Sequence, residues 1–252
     1  MNFKHIVITS FLFLTMMLTA QAETYHLSYK ARSGIVNLGN SFIYVEASGN
    51  SYNIRMDRNL SWPGVLNEQS TTVVSGNTKG VNAYPQSYVQ TRTGRELTRT
   101  TKINWNNGMP SVRMNPPIET RAETVLDITS AKNSIDPLST IYRVMRDVTS
   151  NGGCTGNFVS FDGFSSISTI LQPLNFKSVS TSAYNGEATG CRLQMRGKSG
   201  LIMGGKRVGQ ATNMDIWLAH IDGSPMAVPV LIQTKEGAKS VSLRLVDFLL
   251  SN

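Results

Sequence analysis

The stretch 134–147, SIDPLSTIYRVMRD, carries the clearest helical pattern in this sequence. Asp136 is suited to cap the first turn, because its carboxylate accepts backbone N–H groups that lack partners there. Pro137 suits the first helical position, where no N–H is needed. Apolar residues recur at helical spacing and form one stripe: Leu138, Ile141, Tyr142, Met145 and Val148. The pattern predicts an amphipathic helix over 136–148 that ends before Gly152.

Strand signals dominate the rest of the chain. Alternating or β-branched and aromatic residues predict strands over 25–31, 41–47, 52–56, 87–91, 95–105, 157–162, 167–171, 178–184, 191–196, 215–221, 228–234 and 241–249. Strands that recur about every 8–12 residues are typical of one large antiparallel sheet, curved or closed. The sequence therefore predicts a mainly β fold with one helix laid against the sheet.

Glycine, proline and polar residues divide the predicted strands. The Gly39–Asn40 pair predicts a turn, as does Gly163 after Phe161 and Asp162. Trp-Pro-Gly at 62–64 breaks the strand pattern, and a polar stretch without a predicted strand follows it up to Val81. No linker or internal repeat interrupts the series, so the sequence predicts a single domain over 23–252.

The first 22 residues have the pattern of a cleaved signal peptide. Lys4 precedes an apolar run over 6–18, and Ala-Gln-Ala at 20–22 has the small-x-small form of a cleavage site. The run is shorter than the roughly 20 residues that a membrane-spanning helix needs. We expect an exported, periplasmic protein that does not span the membrane once the signal is removed.

The net charge indicates the class of partner. Without Lys4 the formal charge falls from +8 to +7. In the periplasm a basic protein favours anionic partners, such as lipid head groups, lipopolysaccharide or another envelope protein, and not nucleic acid. The alternative is that the charge only keeps the protein soluble.

Cys154 and Cys191 are the two cysteines of the chain. In an oxidising compartment an even count favours a disulfide, and two cysteines allow one pairing if they pair. A redox-active pair is disfavoured, because catalytic cysteines usually lie close together in the sequence, as in Cys-x-x-Cys.

The search for catalytic and metal-binding patterns returns negatives. His26 and His220 are isolated in predicted strands, and neither a zinc-ligand spacing nor a Gly-x-Ser-x-Gly motif is present. Asp136 has a structural explanation as a cap. We therefore predict no enzyme, no catalytic residues, no metal and no cofactor.

Two groups of basic residues are candidate contacts for anions. One group consists of Arg192, Arg196, Lys198, Lys206 and Arg207, near a glycine-rich segment that predicts a hairpin turn. The other consists of Arg92, Arg95, Arg99 and Lys102. The alternative for both is a solvated surface without a specific ligand.

The order of several short motifs resembles a known exported bacterial family. Asp-Pro-Leu-Ser at 136–139 leads into the helix, and Phe-Asp-Gly at 161–163, Cys-Arg at 191–192 and a strand with Trp217 follow. This order is similar to that of the family catalogued as domain of unknown function 3108. The resemblance implies a strongly curved antiparallel sheet (a half-barrel or β-spiral) with the helix in its concavity, and it brings no catalytic residues.

Two functions remain open at this point. The first is a non-enzymatic periplasmic protein for envelope maintenance that binds an apolar or amphiphilic ligand, or a partner segment, in the curved sheet. The second is an envelope interaction module whose core is filled by its own helix. A less favoured third is an envelope hydrolase. An open cavity beneath the helix favours the first function, and a packed interior favours the second.

Overall fold

A computed structural model describes residues 23–62, 66–117, 127–200, 211–236 and 239–251. The strands are β1 Glu23–Ser33, β2 Val36–Ser48, β3 Ser51–Trp62, β4 Leu66–Lys79, β5 Asn82–Thr93, β6 Thr98–Asn106, β7 Met109–Asn115, β8 Gly156–Phe161, β9 Ser165–Ser180, β10 Asn185–Gly200, β11 Ala211–Ala219, β12 Val228–Glu236 and β13 Lys239–Ser251. One α-helix, α1 Pro137–Asn151, and a short 3-10 helix, Ile128–Ala131, lie between β7 and β8.

All thirteen strands form one antiparallel sheet. Its order is β7-β6-β5-β4-β3-β2-β1-β13-β12-β11-β10-β9-β8, so every pair of adjacent strands is also consecutive in the chain except β1 and β13. Among the described residues β7 and β8 are edge strands that do not pair with each other. The predicted mainly β fold, with one antiparallel sheet and one helix, is confirmed.

The sheet wraps around the helix. A flat sheet of this size would be about 58 Å wide, since strands lie about 4.8 Å apart, whereas a helix is only about 10 Å in diameter. Yet α1 packs against the centre of the sheet and also reaches β5 and β8. Register shifts in six places, among them Ser75/Gly76 and Trp217/Leu218, supply the bends that wrapping requires.

The prediction of a turn at Gly39–Asn40 is wrong. Both residues lie inside β2, opposite Leu60 and Asn59 of β3. Gly39 has φ of 130°, and a Cβ there would come within 2.0 Å of the Asn59 carbonyl oxygen. Glycine is needed here because a bulge brings two backbones close together.

Two other strand predictions are corrected. The polar stretch that ends near Val81, for which no strand is predicted, contains β4. Its inward side chains at the start of the strand are Glu68, Ser70 and Thr72, so the apolar alternation that marks a half-buried strand is missing. The segments 167–171 and 178–184 are not two strands, because β9 runs without a break from Ser165 to Ser180.

The helix begins and ends at local signals in the sequence. The Asp136 carboxylate accepts hydrogen bonds from the Leu138 and Ser139 N–H groups, and Gly152 ends the helix in the left-handed conformation with φ of 68°. The helix is longer than the predicted 136–148 by most of a turn. It is also buried on more sides than one stripe, because Thr140, Val144 and Asp147 are buried as well.

The segment before the helix fills the space between the two edges of the sheet. The Asn133 N–H donates to the Gly108 carbonyl in the β6–β7 turn, at 2.7 Å. Two residues later, Ile135 exchanges two backbone hydrogen bonds with β8, at 2.9 and 2.8 Å. The chain thus ties the two ends of the sheet together through a short extended segment, and this placement sends α1 into the concavity.

Several predictions concern residues outside the described ranges. They are the signal peptide over 1–22, the Pro63–Gly64 break, and the glycine-rich hairpin with Lys206 and Arg207. Within the described ranges, none of the helices is long and apolar enough to cross a membrane.

Candidate functional site

The helix fills the concavity of the sheet. The Tyr142 ring lies 4.8 Å from the Tyr52 ring between their centroids, and the Tyr29 hydroxyl donates to the Pro229 carbonyl at 2.8 Å. Among the described residues, a cavity of about 20 Å³ lies between helix and sheet, bounded by Leu138, Met145 and neighbouring apolar residues. That volume holds about one water molecule. A lipid chain does not fit there.

The helix N-terminus holds a buried carboxylate. Both the Leu138 and Ser139 N–H groups lie 2.9 Å from Asp136 Oδ1, and the Ser139 hydroxyl donates to Oδ2. The Tyr52 hydroxyl lies 2.6 Å from Ser139 Oγ, which leaves Tyr52 as the donor of that bond. Burial raises the pKa of Asp136 to about 6, although these hydrogen bonds oppose the shift.

Asp136 makes the stability depend on pH. Its folded-state pKa of about 6 lies above the ordinary value of 3.8, so the carboxyl destabilises the folded state increasingly as pH rises from about 4 to about 6. Between pH 4 and 7 the free energy of unfolding should fall by up to about 3 kcal/mol because of this carboxyl. We expect Asp136→Asn, which keeps a capping side chain, to lack that fall. Urea titrations of both proteins across pH 4–7 measure it. Identical pH profiles would contradict the assignment.

The C-terminal half of the helix is anchored at three points. The Arg146 guanidinium donates to the Gly80 carbonyl in the β4–β5 turn, at 2.7 and 3.1 Å. Thr149 Oγ1 accepts from the Ala227 N–H at 2.9 Å. A disulfide then joins Cys154, three residues after the helix, to Cys191 of β10. These links tie the second half of the helix to the β4–β5 turn, to the segment before β12 and to β10.

The inner face of the sheet changes from apolar to charged along the strands. Three successive cross-strand rows on β2 to β6 show the change. The first row is Val45, Ile54, Val74, Tyr88 and Ile103; the second is Ile43, Met56, Thr72, Gln90 and Thr101; the third is Ser41, Arg58, Ser70, Arg92 and Arg99. Rows are separated by about 7 Å along the strands. The inner face therefore becomes polar with distance from the helix.

The third row, which we call the arginine row, surrounds one acidic residue. Arg58 and Arg92 both form ion pairs with Glu68, whose side chain is 5% exposed. The Arg99 Nε–H donates to the Pro116 carbonyl at 3.0 Å. Three arginines and one glutamate leave a local charge of +2 along this row.

Three polar atoms of the arginine row are buried without a partner in the described part of the chain. They are Ser41 Oγ, Ser70 Oγ and Arg58 Nε. Ser41 is 0% and Ser70 5% exposed. A buried polar atom without a hydrogen bond costs about 1–3 kcal/mol, so such atoms usually face water or a ligand.

The two predicted groups of basic residues are divided by the structure. Arg192 forms a bidentate ion pair with Asp215 of β11, with both distances 2.7 Å. Arg196 and Lys198 lie on β10, and Lys206 and Arg207 fall outside the described ranges. In the second group, Arg92 and Arg99 belong to the arginine row. Arg95 lies in the β5–β6 turn, and Lys102 faces outward.

The arginine row was only half visible in the sequence. The sequence predicts anion contacts for Arg92, Arg95, Arg99 and Lys102, but it does not single out Arg58 or the two serines. Their juxtaposition depends on the register of β2 to β6, which single-sequence patterns do not provide. The polar residues that β4 turns inward are the one sign of this row in the sequence, but a polar stretch does not by itself predict a strand.

A groove lies on the opposite, outer face of the same strands. It measures about 360 Å³ and its outward side chains include Phe42, Asp57, Asn59, Gln69 and Thr71. Asp57 is already engaged there, because it pairs with Arg55 and accepts from the Thr71 hydroxyl at 2.7 Å. The groove is open and shallow, so it offers contact with a surface more than enclosure of a ligand.

The histidines and carboxylates do not converge. His26 lies on the outer face against the Tyr44 ring, 4.9 Å between centroids, while His220 is exposed after β11. β1 and β11 are three strand spacings apart, roughly 14 Å. Burial raises the pKa of Asp162, whose carboxylate accepts from the Phe164 and Ser165 N–H groups in a turn. No cluster of metal-ligating side chains is present among the described residues.

These features define the class of protein: an open, strongly curved antiparallel sheet whose concavity is filled by one helix. The chain belongs to the DUF3108 family of proteins of unknown function, whose family model matches residues 24–246. The resemblance drawn from the Asp-Pro-Leu-Ser motif and its companions is thus confirmed. A search of curated proteins finds no match to the chain.

A solved structure supports the fold. The chain is similar to the crystal structure of a beta-barrel-like protein of the domain of unknown function DUF1849 from Brucella abortus, with a TM-score of 0.55 and 11% identity over 92% of this chain and 98% of that one. A protein described as a "putative lipoprotein" from Parabacteroides distasonis gives a TM-score of 0.35 and 9% identity over 91% and 96% of the two chains. At 11% identity, the likeness to the Brucella abortus protein concerns the fold alone.

Proposed function

We propose that this protein is a non-enzymatic, exported module of the bacterial cell envelope. It works by contacting a partner through its surface and does not enclose a lipid chain. The observation that carries the proposal is the filled interior, in which α1 and the sheet leave a cavity of only about 20 Å³. Of the two functions that the sequence leaves open, the interaction module fits this packing.

The anchoring of the helix supports the same proposal. A lid over a ligand cavity needs few ties, so that it can open. Here the helix is fixed by Asp136 at its start, by Arg146 and Thr149 in its second half, and by the disulfide just after its end. A rigid plug of this kind keeps the curvature of the sheet constant and leaves its surface as the part that meets partners.

Export is the second element of the proposal. The signal-like pattern over 1–22 and the Cys154–Cys191 disulfide both suit an oxidising compartment, because disulfides persist outside the reducing cytosol. The absence of a catalytic role rests on the separation of His26 from His220 and on the hydrogen-bonded, turn-forming positions of Asp136 and Asp162.

Lipid and dye binding test the proposal. We expect protein purified without detergent to carry no lipid by native mass spectrometry, and to leave the fluorescence of anilinonaphthalene sulfonate unchanged. Met145→Ala is the matched control, since Met145 is 2% exposed and borders the small cavity. Its shortening enlarges the apolar void, so the variant should bind xenon, which dry apolar cavities admit, whereas the unaltered protein should not.

One result would contradict the proposal. Stoichiometric lipid bound to the unaltered protein, with an affinity that Met145→Ala changes, would place the ligand in the interior after all. A clear rise in dye fluorescence with the unaltered protein would lead to the same conclusion.

A further inference from the structure

The arginine row has the composition of an anion-binding site that is open at one end. Its five residues lie on adjacent strands, where directly opposed Cβ atoms are about 5 Å apart. Ser41 and Ser70 are 0% and 5% exposed, whereas the side chains of Arg58 and Arg92 are 29% and 49% exposed. The two guanidinium groups are therefore the part of the row that a small anion meets first, and the buried Ser70 hydroxyl lies on the strand between them.

The guanidinium groups converge instead of spreading apart. Arg58 and Arg92 contact the two different oxygens of the one Glu68 carboxylate. Groups that share a carboxylate in this way are close enough to be bridged by one more oxyanion. Guanidinium donors suit such oxygens well because several N–H groups point outward in one plane.

Glu68 alone does not satisfy the row. It supplies one negative charge against three arginines, and Arg58 Nε, Ser41 Oγ and Ser70 Oγ have no partner among the described residues. If the cluster only held β3, β4 and β5 together, the buried hydroxyls would be replaceable by apolar groups at no cost. Two serines in a row with arginines instead supply neutral donors of the kind that line oxyanion sites.

We propose that the arginine row binds a phosphate monoester or inorganic phosphate. The net charge of +2 matches a phosphate group, which carries about −1.5 to −2 at pH 7. Arg58 and Arg92 hold the phosphate oxygens together with the hydroxyl of Ser70, which lies between them on β4, and Arg99 completes the positive rim. The site lies on the inner face beyond the helix, so it is separate from the filled cavity and goes beyond the proposed function.

Two phosphate sources share this chemistry: a soluble phosphate and the head group of a lipid. Calorimetric titration with inorganic phosphate at constant ionic strength probes the first. Co-sedimentation with vesicles of phosphatidylcholine that contain phosphatidic acid, a monoester, probes the second, and phosphatidylglycerol vesicles of equal charge serve as the diester control. Binding to phosphate alone indicates a soluble source, whereas preferential binding to phosphatidic acid indicates a lipid.

Three variants decide whether the row is responsible. Arg92→Gln should weaken binding roughly tenfold or more, since a charge-assisted bond is lost. Ser70→Ala should weaken it roughly threefold to tenfold without lowering the unfolding midpoint, because Ser70 Oγ has no partner in the described part of the protein. Arg55→Gln is the control, since Arg55 also lies on β3 but faces outward, with a side chain 58% exposed.

The expected result is saturable binding of at least one probe that Arg92→Gln and Ser70→Ala weaken and Arg55→Gln does not. The proposal is overturned if neither probe binds, if vesicles with phosphatidylglycerol bind the protein as tightly as those with phosphatidic acid do, both binding measurably, or if Arg55→Gln has the same effect as Arg92→Gln. None of these outcomes bears on the filled interior, which the dye and lipid measurements test separately.

Discussion

Replacing both Cys154 and Cys191 by alanine will lower the free energy of unfolding by about 4 kcal/mol, measured by guanidinium titration under oxidising conditions. The bond closes a loop of sequence separation 37, and removing it frees the unfolded chain. The loop contains β8, β9 and the start of β10, which together form one end of the sheet. Alanine is preferred to serine, since both cysteines are 0% exposed and a hydroxyl there would be buried.

Reduction supplies the matched control for this prediction. Unaltered protein in reductant should unfold at nearly the same denaturant concentration as the double alanine variant, and the variant itself should not respond to reductant. If the oxidised protein and the variant unfold at the same concentration, the disulfide does not stabilise the fold. If the variant loses much more than the reduced protein, the packing of the two sulfur atoms matters more than the covalent link.

Local signals in the sequence were sufficient for the helix and most strands. Asp136, Pro137 and Gly152 act on the backbone within a few residues, so their effects were visible without any knowledge of the fold. The apolar stripe on α1 was visible for the same reason. The burial of Val144 and Asp147 was not, because it depends on a sheet that surrounds the helix on more than one side.

Signals that depend on distant contacts were lost. The sequence predicts a turn at Gly39, whereas in the structure Gly39 allows its backbone to lie close to Asn59 of the neighbouring strand. Glu68 and Ser70 made β4 look like a loop, because an inward-facing polar residue is indistinguishable from an exposed one in a single sequence. The polar inner face of the sheet thus explains both why the sequence does not predict β4 and why the arginine row can bind an anion.

The packing of the helix also determines how sensitive the fold is to cavities. Tyr142 is 1% exposed, its ring lies against Tyr52, and the Arg146 guanidinium carbon is 5.8 Å from its centroid. The surrounding strands β1, β2 and β3 each have hydrogen-bonded neighbours on both sides. Such strands do not collapse easily into a void, so the cost of a lost ring is expected at the upper end of its usual range.

Tyr142→Ala should therefore lower the free energy of unfolding by about 3–5 kcal/mol, measured by urea titration at neutral pH. Tyr142→Phe keeps the ring and should cost about 1 kcal/mol or less, which separates packing from the hydroxyl. Tyr84→Ala on β5, at a residue 53% exposed, should change stability by no more than about 0.5 kcal/mol. A small loss for Tyr142→Ala would mean that the helix moves to fill the void, and a helix that moves so readily could act as a lid after all.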